Sequence, residues 1–253
     1  MFRKLFGRKS GDAPAPPANP RDMLMAEAIA QLKTDDPLAG PKVGARELNA
    51  WLMECAKSER GVHVETMLAM LGSLAGFACQ FAARHALLRG SGSWATPWAI
   101  VSGADGATYF FGDAINHFLL EDRYSFWSLA AGAVAQLGDG DVPDVIPVVQ
   151  HVTATIGSEG FGQIRFPEGT SADDLPINYV RNLFPDVQQN FERLGLDPGE
   201  WPIAFGLAAQ EFLDMAREVV PPPVAVLVLM ECAIAMAKVD PVSLGISAPI
   251  PGR

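Results

Sequence analysis

Three residues spaced to share one helix face are the first in this chain that could do chemistry. In GDAINHFLLED, Asp113, His117 and Glu121 recur at steps of four, which an α-helix stacks about 40° apart on one side. Two carboxylates around an imidazole suit metal ligation or acid–base catalysis. The opposite side of the same helix carries Ala114, Ile115, Phe118 and Leu119. The three polar residues are therefore also the wet face of an ordinary amphipathic helix, with Asp113 after Gly112 where an N-cap is expected. This second reading accounts for all three, so His117 is expected to be exposed and idle. No metal and no cofactor are expected.

Glu231 is the second candidate. It stands in VAVLVLMECAIAMAK, a helix with no polar face. A carboxylate there must be paired, protonated or at an interface. Arg217 and Lys238 are the partners the spacing offers. A third candidate is a polar line on a long apolar helix: Thr66, Ser73, Gln80 and Arg84 fall within about 40° of each other at the ideal helical turn. Such a line either floors a ligand groove or forms the thin solvent edge of a packed helix. The edge is the expectation.

The elements that must position these residues follow from periodicity. A helix from about 64 to 88 is apolar nearly all round, hence buried, with Gly72 and Gly76 allowing a neighbour to approach closely. Asp105-Gly106 between aromatic and β-branched runs predicts a hairpin, 98–102 with 108–111. Helices are expected near 45–56, 114–120, 124–136 and 145–156, then 177–183 and 185–194 as two separate pieces. Asp197-Pro198-Gly199-Glu200 is a capping box opening a helix. The apolar stripe Trp201, Phe205, Ala208, Phe212, Met215 and Val219 follows it. Three prolines, 221–223, lead into the last helix, to about 238. The polar stretch from Gly157 to Pro176 reads as a loop with one short extended piece. The fold class is therefore mainly α: one multi-helix domain over 21–240 with one small inserted β-hairpin, and a tail from 241 to 253.

Composition narrows the function. The chain has 253 residues, 49% of them hydrophobic and 19% charged, with a net charge of −10. No basic patch marks the body, so no nucleic-acid partner is expected. Cys55, Cys79 and Cys232 are far apart and lack a C-x-x-C spacing, which reads as reduced core thiols in a cytoplasmic protein. The apolar runs end short of a bilayer's thickness, so no transmembrane span is expected. The glycine-rich stretches RGSGSW and GSEGFG have the spacing of neither a nucleophile elbow nor a dinucleotide loop.

The N-terminus departs from this acidic body. MFRKLFGRKS holds Arg3, Lys4, Arg8 and Lys9 and no acid, and Phe2, Leu5 and Phe6 share a side if it is helical. That is the pattern of an interfacial anchor on anionic lipid. A Pro/Ala-rich linker, GDAPAPPANP, follows it; the whole of 1–20 is expected to lie outside the folded domain. The leading expectation is a binding or assembly protein without catalysis that self-associates as a homodimer. An enzyme built around His117 or Glu231 is the alternative. A peripheral membrane adaptor held by Phe2, Arg3, Lys4, Leu5, Phe6, Arg8 and Lys9 is the third.

Overall fold

The computed structural model describes residues 20–59, 61–90, 98–138, 141–166, 168 and 170–248. The residues expected to form a membrane anchor, Phe2 to Lys9, lie outside this set. The fold is mainly α with two small antiparallel strand pairs.

Helix α3, Val64–Arg89, is the axis. It is long and apolar enough to cross a bilayer by length and composition, and its apolar window is wholly buried within this fold. Four helices surround it: α2 (Ala39–Cys55), α7 (Pro176–Arg193), α8 (Trp201–Ala216) and α9 (Pro222–Met236). The closest packing is against α9. There Gly72 lies under the Leu229 carbonyl and Gly76 under that of Ala233, so neither position has room for a Cβ. The glycine pair is thus used for backbone contact between two core helices. One continuous hydrophobic core runs from Ile29 to Ile246.

The hairpin forms as its turn pair predicts. β3 (Ala99–Ser102) pairs with β4 (Thr108–Phe111) in the register Ala99 to Phe111, and Gly106 takes the left-handed conformation the turn requires. A second pair, β1 (Lys57–Ser58) with β2 (Gly61–Val62), was not anticipated. Asp197 and Glu200 do form the capping box, each side chain accepting from the other's end of the turn.

Two expectations are corrected. The pieces 177–183 and 185–194 are one helix, α7, with Pro185 inside it. Pro185 and Arg181, whose carbonyl loses its helical partner, are both exposed, and on a solvent-facing side the lost hydrogen bond costs less than in the core, so the helix continues. The helix expected at 114–120 is a single α-turn, α4 (Asp113–Asn116), followed by a π-helical turn from His117 to Glu121. The apolar stripe of α8 is buried only as far as Phe212; Met215 and Val219 are exposed. At the start of the tail Asp240 caps a 3-10 turn, Pro241–Leu244, and Leu244 and Ile246 are buried. The remaining helices are α5 (Phe126–Leu137) and α6 (Ile146–Thr155). The stretch 157–176 contains no strand among its described residues.

Helix α1 (Pro20–Leu32) differs from the rest. Ile29 is its one buried residue. It is held by Ile29, by Ala26 lying against Gly195, and by an ion pair of Lys33 Nζ with Glu200 Oε2 at 2.7 Å. Leu24, Ala28 and Leu32, one helical turn apart, face outward with Met25 beside them.

Candidate functional site

The π-turn changes what the Asp113–His117–Glu121 series can do. The amide of Asp122 donates to the carbonyl of His117 at 3.0 Å, five residues back. One extra residue in the turn rotates Glu121 away from His117 and brings Asp122 round instead, with its Oδ2 3.7 Å from His117 Nε2. Asp113 and Glu121 are exposed. His117 is half-buried rather than exposed, its ring set edge-on to Phe118 at 5.1 Å. The π-turn thus sets Asp122 beside His117 where the sequence pattern had put Glu121. Among the described residues no group of three or more His, Cys, Asp or Glu is placed to hold a metal ion.

The polar line on α3 is not a solvent edge. Thr66, Ser73, Gln80 and Arg84 are all buried, and each is engaged with backbone or with another element. Thr66 Oγ1 accepts from the Asp173 amide at 3.0 Å and lies 2.6 Å from His63 Nδ1. Ser73 Oγ donates to the Ala69 carbonyl within its own helix. Gln80 Nε2 donates to the carbonyls of Ala237 and Val239, both at 2.9 Å, and Gln80 Oε1 accepts from Arg84 Nε at 3.2 Å. The Arg84 guanidinium lies over both Trp98 and Phe110, 4.8 Å and 4.4 Å from the ring centroids. Burial pushes its pKa down to about 10, with the Asp240 carboxylate acting the other way. Gln80 and Arg84 fasten α3 to the end of α9 and to the hairpin, and Thr66 ties it to the segment before α7. Buried polar atoms need such partners, which is why a polar stripe on a core helix reads equally well as an edge.

Glu231 is buried, as its apolar helix implied, and its partner is Arg165 rather than Arg217 or Lys238. Glu231 Oε2 accepts from the Arg165 amide at 2.7 Å, and Oε1 accepts from the Arg165 guanidinium. Arg217 pairs instead with Asp214 and Glu218 on the surface. The polar loop is thereby pinned across α9. Lys238, two turns on, is equally buried at 7% exposure. Its ammonium lies over the Phe111 ring at 4.4 Å, and burial pushes its pKa down to about 8.

A cleft lies elsewhere. Of about 360 Å³, it opens between α3, α7 and the start of α8, with Ser247 and Ala248 at its rim. Phe81 and Trp201 lie beneath it, nearly parallel at 12° with centroids 5.0 Å apart, and both are almost wholly buried. Trp201 is fixed by donation from its Nε1 to the Leu196 carbonyl. His85 stands on the wall, 5.0 Å from Phe81. Burial holds its pKa below the usual histidine value, and Arg89 adds to this against Asp197 and Glu192.

Comparison with known families, characterised proteins and solved structures finds no match. The site must therefore be judged by its own chemistry. The structure does not bring the sequence candidates together: His117 lies in the π-turn, Glu231 under the polar loop, and the α3 line is internal. The surfaces on which self-association was expected, most of the α8 stripe, α9 and the start of the tail, are spent inside one chain. The cleft residues were missed because they come from three elements far apart in sequence. The exposed apolar side of α1 was missed too, although its spacing of four was readable.

Proposed function

We propose that this chain is a binding protein that works at an anionic membrane surface, attached through its first ten residues and the outer side of α1. One observation carries the reading: α1 turns Leu24 and Leu32 outward, 67% and 56% exposed, with Met25 beside them. An apolar stripe left bare on a helix with one buried residue calls for an apolar occupant. Charge complementarity names that occupant. The four basic residues of MFRKLFGRKS lie just upstream in sequence, and each cation near an anionic leaflet contributes about 1 kcal/mol. Burying a leucine side chain adds roughly 1.5–3 kcal/mol more. Basic residues and apolar stripe together supply the two signals that stable attachment requires.

The buried polar residues support binding over catalysis. Glu231, Gln80 and Thr66 are engaged in bonds that hold elements together, and their task is architectural. Co-sedimentation with vesicles containing phosphatidylserine tests the reading, with the full chain and a chain lacking residues 1–10. The full chain pellets at low salt and partly releases at physiological salt, and the truncated chain pellets less. Equal pelleting of the two removes the N-terminal contact. Equal pelleting on neutral and anionic vesicles removes the electrostatic one.

A further inference from the structure

The described lysines fall into two kinds. Lys33 and Lys42 give their ammonium groups to Glu200 and Asp36, each at 2.7 Å, and Lys57 gives its own to Glu54 at 3.1 Å. Lys238 has no carboxylate. It is buried, and its Nζ takes no hydrogen bond or ion pair among the described residues; the Phe111 ring, 4.4 Å away, is what it meets. An unpaired charge in an apolar setting is costly. Burial alone pushes its pKa down to about 8, with no carboxylate acting against it. A lysine that gives up its proton near neutral pH is a nucleophile.

The amine is also held in place and reachable. Gln80 Nε2 donates to the carbonyls of Ala237 and Val239, and the Phe110 amide donates to that of Lys238 itself at 2.9 Å. The backbone on both sides of the amine is thus fixed, from α3 and from β4. Yet Nζ is not among the unpartnered polar atoms enclosed in the core, as Asn49 Oδ1 and Trp98 Nε1 are; it meets solvent. A residue 7% exposed admits only a small reagent. The net charge of −10 disfavours an anionic one, such as an acyl phosphate, and the Phe111 ring favours an apolar one.

We propose that Lys238 is a covalent binding site for small uncharged aldehydes, held as an imine beside Phe111. The ammonium gives a proton to water, and the Nζ lone pair attacks the carbonyl carbon to form the C–N bond. The carbinolamine then loses its oxygen, with the two remaining amine hydrogens, as water, which leaves C=N. Nothing is oxidised or reduced, and water reverses the step. The neutral imine removes the charge whose burial is unfavourable, so the fold itself favours the adduct.

Reductive trapping in solution without lipid tests this apart from membrane attachment. The full chain is incubated with propanal and cyanoborohydride, which delivers hydride to the imine carbon and fixes it as a secondary amine. Peptide mass spectrometry compares Lys238 with Lys42 and Lys57 in the same molecules. At pH 7 an amine of pKa about 8 is roughly a tenth deprotonated, and an ordinary lysine under about a thousandth. Even through a narrower opening, Lys238 is labelled about tenfold faster. The preference shrinks toward pH 10, where the other lysines lose their protons too, and vanishes in urea. Glyoxylate, of similar size but anionic, shows a smaller preference for Lys238 over Lys42 than propanal does. The proposal is overturned if Lys238 is labelled no faster than Lys42 and Lys57 at pH 7, if its preference survives in urea, or if glyoxylate shows the same preference as propanal.

Discussion

Helices α3 and α1 are opposites. α3 buries its polar residues: Thr66, Ser73, Gln80 and Arg84 all lie inside. α1 exposes its apolar ones: Leu24, Met25 and Leu32 face out. Both arrangements oppose the usual sorting of side chains by water, yet only one is resolved within the molecule. On α3 each of these four side chains is held in place, by carbonyls, an amide or aromatic rings. On α1 the apolar stripe has no counterpart in the chain's described residues. Inverted polarity with a partner is architecture. Inverted polarity without one marks a surface meant for something else.

Substitutions in the two helices should therefore differ most where α3 is tightest. Gly76→Ala places a methyl group against the Ala233 carbonyl. Overpacking against backbone cannot be relieved by a rotamer change, so about 3 kcal/mol or more is lost. Urea denaturation reads this as a lower midpoint. A midpoint equal to wild type would mean that α3 and α9 are not in backbone contact.

Lys238, at the far end of α9, gives an effect of opposite sign. Its folded pKa of about 8 lies below the ordinary lysine value. Between about pH 8 and 10 the unfolded chain therefore binds more protons than the folded one, and stability rises with pH across that window. Below pH 8 the cost of burying the ammonium is present in full, about 3 kcal/mol for a shift of this size, in part offset by the Phe111 ring. Lys238→Met should raise stability at pH 7 by about 2 kcal/mol and flatten the rise above pH 8. Thermal melts across that range decide it, and an unchanged slope would contradict the burial of the amine.

Glu231→Gln comes next, with a loss of about 1–2 kcal/mol. The glutamine still accepts from the Arg165 amide, and the Arg165 side chain is half-exposed, so water recovers part of the pair. The loss should appear in urea and shrink in high salt. On α1 the expectation is the smallest: Leu24→Ser with Leu32→Ser changes stability by no more than about 0.5 kcal/mol, as for exposed positions elsewhere.

The sequence made local features legible and left distant pairings hidden. Asp105-Gly106 located the hairpin and the run from Val64 located α3, because turn chemistry and periodicity are local. The capping box at Asp197 and Glu200 was readable for the same reason. Arg165 could not be named as the partner of Glu231, since 66 residues of chain separate them. The π-turn was missed because His117 to Glu121 has the composition of an ordinary helix, and only tertiary packing chooses the wider turn. Pro185 suggested a break because its lost hydrogen bond is costly when buried; in α7 it faces water. The cleft left no trace because His85, Glu192 and Trp201 share no motif.

The most direct test of the central claim is the pelleting of the Leu24→Ser, Leu32→Ser double variant on anionic vesicles, with its first ten residues intact. The account predicts the stability of wild type, weaker binding to the vesicles, and residual binding that salt abolishes. Binding equal to wild type at every salt concentration would show that the outer side of α1 does not meet lipid.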